Sequence, residues 1–92
     1  MIRGFRHKGL KRLFENGETK GVRRDHVEKI ENILAVLNCA QQPEDMNLPG
    51  FHFHALKGDL KGFWSVTVRA NWRVIFRFHN GDAYDVDLID YH

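Results

Sequence analysis

Three places in this sequence carry side chains suited to proton transfer and phosphate binding. Asp90 and His92 stand two residues apart, His54 lies mid-chain, and Asn71 and Arg73 flank a tryptophan. Alternate residues of a strand share a face, so we expect Asp90 and His92 to point the same way. A histidine can give or take a proton near neutral pH. An arginine fork donates two parallel hydrogen bonds to a phosphate.

This combination of side chains is what metal-independent RNA cleavage requires. A base must deprotonate the 2′-hydroxyl, and an acid must protonate the departing 5′-oxygen. A cation must stabilise the crowded phosphate, and a further group must orient the others. The side chains that could fill these roles, if the strands bring them together, are those of His54, Arg73, Asp90 and His92.

Other polar and aromatic residues have simpler interpretations. The pair His52 and His54 could ligate zinc, but no Cys or Glu stands at a matching spacing nearby, so we expect neither a metal nor another cofactor. The ring of Tyr91 could close the core or stack on a base. Surface or hydrogen-bonded positions are expected for four histidines, and sheet packing for both tryptophans: His7, His26, His52, His79, Trp64 and Trp72.

Length and composition favour one small domain covering residues 1–92. The net charge is only +2, but the first 29 residues hold nine Lys or Arg against four Asp or Glu. This basic segment could attract RNA phosphates, or it could simply be a solvated face. The lone Cys39 excludes an internal disulfide, and its apolar neighbours predict a buried thiol. No apolar run approaches the ~20 residues of a membrane span, so we expect a cytoplasmic protein.

Helical periodicity is confined to the first half of the chain. Leu10 and Leu13 predict a helix over residues 8–16 that ends at Gly17. Asp25 is the expected N-cap of a second helix, with Glu28 completing a capping box. The apolar stripe of that second helix comprises Val27, Ile30, Ile33, Leu34 and Leu37.

Alternating patterns predict the strands. A short strand is expected at residues 2–5, and four more follow the helices, at residues 51–56, 63–68, 72–78 and 83–91. Short turns join the later strands, which makes them antiparallel neighbours. The predicted fold is therefore α+β, with two N-terminal helices packed on a small, mainly antiparallel sheet.

Several motifs resemble those of the HigB-type killer toxins of the RelE superfamily. The resemblance covers essentially the whole chain, and it includes the order of the elements. The similar segments are Phe5-Arg6-His7-Lys8-Gly9-Leu10, Leu56-Lys57-Gly58-Asp59-Leu60-Lys61-Gly62-Phe63-Trp64-Ser65-Val66, Asn71-Trp72-Arg73-Val74-Ile75-Phe76 and the closing Asp90-Tyr91-His92.

The resemblance implies a RelE-like fold and a ribosome-dependent endoribonuclease that cuts messenger RNA in the decoding site. It implies a helix-turn-helix antitoxin of the HigA type. It further implies that the toxin binds operator DNA only through this antitoxin. It also implies residue roles: a catalytic end formed by Asp90, Tyr91 and His92 with His54 opposite, a phosphate-contacting Arg73, and Lys57 and Asn71 near the cleft.

Two features depart from the family pattern, and two other functions remain open. Relatives usually carry Pro where this chain has Ala55, and often a basic residue where it has His52. The first alternative function is a ParE-like toxin, which shares the fold but inhibits DNA gyrase and has no chemical need for the histidines. The second is a non-catalytic RNA-binding domain, which would bind without cutting and would not depend on its C-terminal residues.

Overall fold

A computed structural model describes residues 1–91 and confirms the predicted α+β fold. Two helices precede one sheet, whose four strands follow chain order and are antiparallel throughout. The elements are α1 (Lys8–Asn16), α2 (Val27–Cys39), β1 (His54–Ala55), β2 (Trp64–Arg69), β3 (Trp72–His79) and β4 (Asp82–Asp90), with 3₁₀ turns at Arg24–His26, Pro43–Met46 and Gly58–Leu60.

Helix α1 has the predicted bounds, and side-chain and backbone contacts explain both ends. Nδ1 of His7 accepts a hydrogen bond from the backbone N–H of Leu10 at 3.1 Å, which satisfies a donor of the first turn. Gly17 ends the helix with φ 72°. Its N–H donates to the Leu13 carbonyl at 3.0 Å, and the N–H of Glu18 donates to the Arg12 carbonyl at 3.3 Å. Glycine is favoured there because the left-handed conformation crowds a Cβ atom.

The start and end of α2 differ from two predictions. Asp25 does not cap the helix, since it lies within the preceding 3₁₀ turn and α2 begins without a side-chain cap. Its carboxylate instead accepts hydrogen bonds from Arg23 at 3.3 Å and Arg69 at 3.5 Å. Cys39 is exposed rather than buried, because it ends the helix outside the buried stripe of positions 30, 33, 34 and 37. No helix in residues 1–91 is both long and apolar enough to cross a bilayer.

The predicted first strand reduces to two parallel bridges on the outer edge of β4, Ile2 to Ala83 and Phe5 to Val86. Between these bridges β4 carries a bulge, where Asp85 adopts φ 53° and the pairing with β3 shifts. The extra residue puts both Ala83 and Val86 in the core although they stand three apart. It also interrupts the ladder that a continuous first strand would need.

Strand β1 is shorter than predicted because its start bends. His52 has φ 49°, which breaks the extended conformation, and the N–H of Phe51 turns back to the Leu48 carbonyl at 3.0 Å. The Phe51 carbonyl still accepts from Thr67 N–H at 2.7 Å, so the segment stays attached to β2. Only His54–Ala55 therefore forms a regular pair with β2.

The main core lies between the helices and one face of the sheet. Ile30, Ile33 and Leu37 of α2 pack there with alternate strand residues such as Val66 and Val74. Both tryptophans pack against this core, as predicted. A smaller cluster of Leu56, Phe63 and Ile75 lies apart from it.

Candidate active site on the open face of the sheet

We call the sheet face turned away from the helices the open face, and strand register defines its members. Val74 packs into the helical core, so its neighbours Arg73 and Ile75 face the other way. Cross-strand partners share a face, and His54 pairs with Ser65, which pairs with Ile75. Arg73 pairs with Thr67 on β2 and with Ile89 on β4. Two predicted site residues, His54 and Arg73, therefore share the open face.

His54 is exposed at the edge of the sheet, and a backbone contact orients its ring. Nδ1 lies 2.9 Å from the His52 carbonyl oxygen. A carbonyl can only accept, so Nδ1 carries the hydrogen of this bond. In the neutral ring Nε2 is then the acceptor, and in the protonated ring it donates. The contact with the His52 carbonyl thus determines which nitrogen of His54 can exchange a proton with a substrate.

Arg73 is half-buried, and one side of its guanidinium is anchored to the backbone. Nη1 donates to the Ala70 carbonyl at 2.8 Å, across the turn that joins β2 and β3. Its Nε is buried without a hydrogen-bond partner among residues 1–91. A buried donor left in that state is costly. Anchoring also reduces the conformational entropy that Arg73 would lose on binding a phosphate.

The register sets the separation of His54 and Arg73. They are two strands apart and offset by two residues, so their Cα atoms lie about 12 Å apart, from strand spacings of about 4.8 Å and a rise of about 3.3 Å per residue. Both side chains are long enough to reach inward across this gap. Ser65 lies between them, fully buried, with a hydroxyl that lacks a partner in the described chain. Sequence reasoning misses Ser65, because serine in an apolar strand carries no distinctive signal.

Tyr91 lies beside the β2–β3 turn. The N–H of Tyr91 donates to the Asn71 carbonyl at 2.8 Å, which brings this residue next to the predicted Asn71 and Arg73. Tyr91 is 39% exposed, which leaves it accessible for stacking on a base. Asp90 pairs with Trp72 rather than Arg73, so alternation places it on the helical side, at the rim of the sheet. His92 lies outside the described residues.

Lys57 occupies another part of the site region. It is exposed and precedes the 3₁₀ turn Gly58–Leu60, three residues beyond His54. The bond from Leu56 N–H to the Phe63 carbonyl holds this segment against the start of β2. Lys57 therefore lies on the side of His54 away from Arg73. The structure therefore puts His54 and Arg73 on the open face, with Lys57 next to His54 on its other side. Asn71 and Tyr91 lie at the β2–β3 end of the sheet, and Asp90 lies on the helical side.

The carboxyl groups with shifted pKa values belong to ion pairs and a turn. A hydrogen bond from Arg23 lowers the pKa of Asp25, and one from Arg3 lowers the pKa of Asp82. The backbone N–H of Gln41 lowers the pKa of Asp45. Within residues 1–91, no three His, Cys, Asp or Glu side chains gather as metal ligands would.

One histidine differs from its prediction as a surface or hydrogen-bonded residue. His26 is only 3% exposed, and its Nδ1 has no partner within the described chain. Its ring meets that of Trp72 edge-on at 5.9 Å, so it serves as packing beneath the tryptophan. His52 and His79 are exposed, as predicted.

Comparisons with known proteins agree with this architecture. Residues 3–92 match the family model described as the RelE-like toxin of type II toxin–antitoxin system HigB. The chain is 49% identical to Endoribonuclease HigB of Proteus vulgaris over 92 residues, which is the full length of both. It is 30% identical to Toxin HigB-1 of Vibrio cholerae serotype O1 over 86 residues, covering 91% of this chain and 90% of that protein.

A solved structure supports the fold separately. The crystal structure of a YafQ mutant from E. coli matches with a TM-score of 0.56 over 95% of this chain and 89% of that one, at 14% identity. At that identity the match concerns the fold alone.

Proposed function

The chain belongs to the family of RelE-like HigB toxins of type II toxin–antitoxin systems, and we propose that it is an endoribonuclease that cuts messenger RNA in the ribosomal decoding site without a metal ion. The endoribonuclease activity for which the Proteus vulgaris relative is named supports the nuclease part. The observation that carries the proposal is that His54 and Arg73 share the open face, and that the His52 carbonyl holds Nδ1 of His54 and so leaves Nε2 for proton exchange.

In the proposed reaction, the 2′-oxygen attacks the adjacent phosphorus and the bond to the 5′-oxygen breaks. One of His54 and His92 takes the 2′-hydroxyl proton, and the other gives a proton to the departing 5′-oxygen. Arg73 stabilises the charge that builds on the phosphate. The products are a 2′,3′-cyclic phosphate and a 5′-hydroxyl.

The remaining predicted residues have supporting roles. Lys57 holds the phosphate together with Arg73, and Asn71 contacts the nucleotide near the β2–β3 turn. Tyr91 stacks on or positions a base with its exposed ring. Asp90 lies at the rim of the sheet, two residues before His92 in the sequence. Its carboxylate orients His92 or stabilises the positive charge of its protonated ring.

Partner binding follows from membership of a type II toxin–antitoxin family, which implies an antitoxin. We propose a helix-turn-helix antitoxin of the HigA type, with operator DNA reached only through that partner. The ribosome and messenger RNA are the other proposed partners. The basic residues of the first 29 positions would favour the ribosome by attraction to RNA phosphates.

The proposal is tested with purified protein, ribosomes and a messenger RNA of known sequence. We expect rapid cleavage on the ribosome, slow cleavage of the same RNA alone, and a 2′,3′-cyclic phosphate at the new end. A 2′-O-methyl group at the cleaved nucleotide should block the reaction, because it removes the attacking oxygen's proton. A chelator selective for transition metals, which leaves ribosomal magnesium in place, should not change the rate. Equal cleavage of methylated RNA would contradict the mechanism.

A further inference from the structure

Two arginines outside the predicted site converge on one buried aromatic ring. The guanidinium carbon of Arg77 lies 4.4 Å from the centroid of the Phe63 ring, and that of Arg6 lies 5.1 Å from it. Phe63 itself is only 2% exposed, so its ring cannot stack on a base. An RNA strand at this place would meet the guanidinium groups instead. We call Arg6 and Arg77 the arginine pair.

Several features of the chain hold the arginine pair in place. Gly62 has φ +98°, and a Cβ built there would stand 3.0 Å from Nη1 of Arg77, so the missing side chain leaves room for the guanidinium. The β4 bulge brings Asp85 to within 3.5 Å of Nε of Arg77. Arg6 is fixed by its N–H bond to the Val86 carbonyl at 2.8 Å. Residues from two separate segments, the turn before β2 and the β4 bulge, therefore position these two cations.

The charge at this place favours an anion. Two guanidinium groups face one ring, and one carboxylate, that of Asp85, offsets one of them. Cation–π contact stabilises each guanidinium by about 0.5–1 kcal/mol at an exposed site, but it does not neutralise the charge. Arginine forks match phosphate geometry, and arginines already held in place lose less entropy when they bind.

The arginine pair lies on the open face, on the side of His54 that is away from Arg73. Within β3, Arg73, Ile75 and Arg77 alternate onto that face, which puts the Cα atoms of the two arginines about 13 Å apart at a rise of about 3.3 Å per residue. Ile75 stands in the same cross-strand row as His54. The proton-transferring histidine therefore lies level with the middle of a line that has a guanidinium at each end.

We infer that the arginine pair binds a backbone phosphate of RNA a short distance along the strand from the phosphate that is cut. The inference rests on the proposed function, because it assumes that the open face receives RNA. The phosphate could belong to messenger RNA or to ribosomal RNA, since both offer the same group. In either case the pair stabilises the ground state and the transition state equally. Its removal should therefore raise the ribosome concentration needed for half-saturation without slowing cleavage in the bound complex.

The test compares Arg77→Gln, Arg6→Gln and the parent in binding to programmed ribosomes at several salt concentrations. Each variant should need about tenfold more ribosomes for half-saturation. The slope of log affinity against log salt should become shallower by about 0.7–0.9 for each phosphate that the variant no longer neutralises. The single-turnover cleavage rate at saturation should stay unchanged. An unchanged affinity and salt slope in both variants would overturn the inference.

Arg12→Gln is the control for diffuse attraction, because it removes the same charge from an exposed position on α1, and it should weaken binding clearly less than Arg77→Gln does. If it weakens binding as much as Arg77→Gln does, the effect reflects net charge and the phosphate site is wrong. Arg77→Lys keeps the charge but not the fork, and it should recover most of the salt slope but only part of the affinity.

Ribosomes with and without messenger RNA identify the source of the phosphate. A loss of affinity confined to programmed ribosomes assigns the contact to messenger RNA, and an equal loss on vacant ribosomes assigns it to ribosomal RNA. Failure of the proposed function is separately visible, because the parent would then bind without cutting. The binding comparison would still report on the arginine pair.

Discussion

The two faces of the sheet are made from alternate residues of the same strands, and they differ in the polarity of the side chains that they present at the proposed site. On the helical face Val66, Val74 and Phe76 have no exposed surface. On the open face His54 is exposed, and Arg73 is half-buried with a buried nitrogen that lacks a partner within residues 1–91. The helical face stabilises the fold, whereas the open face carries the exposed polar groups of the proposed site.

This difference shows how a small sheet can separate stability from chemistry. A shift of one residue in register would exchange the two sets of side chains, so the buried face fixes the position of the polar one. Variants on the open face should therefore change cleavage with little effect on stability, and variants on the helical face should do the reverse.

The largest effect is expected from His54→Ala. If His54 transfers a proton in the transition state, its removal should slow single-turnover cleavage by about 10²–10⁴-fold. The side chain is exposed and makes one backbone contact, so the midpoint of thermal unfolding should hardly change. A His54→Ala protein that cuts at the parental rate would remove this residue from the mechanism.

Arg73→Lys should have the next largest effect, a loss of about 10²-fold in the cleavage rate at saturation. Lysine keeps the charge but cannot both hold the Ala70 carbonyl and present a fork to the phosphate. Measuring both the cleavage rate at saturation and the half-saturating ribosome concentration separates a loss of catalysis from a loss of binding. A change confined to the half-saturating concentration would make Arg73 a binding residue only.

Ile33→Val tests the helical face. Ile33 is fully buried in the core, and losing one methylene group there should lower the free energy of unfolding by about 0.5–1.5 kcal/mol. Denaturant unfolding measures the loss. The cleavage rate of the folded variant should equal that of the parent, and a slowed reaction would show that the two faces are coupled.

Asp82→Asn should have the smallest effect, one that depends on pH. The hydrogen bond from Arg3 lowers the pKa of Asp82 below its usual 3.8, so the ionised form stabilises the fold at neutral pH. This stabilisation is lost as the pH falls below 3.8 towards the lowered pKa. The variant should unfold slightly more easily than the parent at neutral pH, and the two should converge in acid. Arg3→Gln should reproduce the difference, and a gap that persists in acid would rule out the ion pair as its cause.

The elements that could be predicted are those specified by local periodicity. The apolar residues of α1 and its terminal Gly17 indicate both bounds of that helix, and alternation locates β2, β3 and β4 within one or two residues. These features depend on neighbouring residues, which the sequence displays directly.

The features that could not be predicted depend on distant residues or on backbone conformation. Asp25 has the right type for a cap, but its carboxylate bonds Arg23 and Arg69, the latter 44 residues away. The left-handed conformations of His52 and Asp85 shorten β1 and bend β4, and neither residue type requires them. The register between β3 and β4 is also set by distant contacts. It pairs Asp90 with Trp72, which puts this carboxylate at the rim of the sheet rather than beside Arg73.

A double-mutant cycle on His54 and Arg73 tests most directly whether the open face holds one active site. The single-turnover rate on ribosomes is measured for the parent, His54→Ala, Arg73→Lys and the double variant. Two residues that act on the same phosphate in one transition state should be strongly non-additive, so the double variant should be little slower than the worse single variant. Losses that multiply in full would mean that the two residues, although they share a face, do not act on the same reacting group.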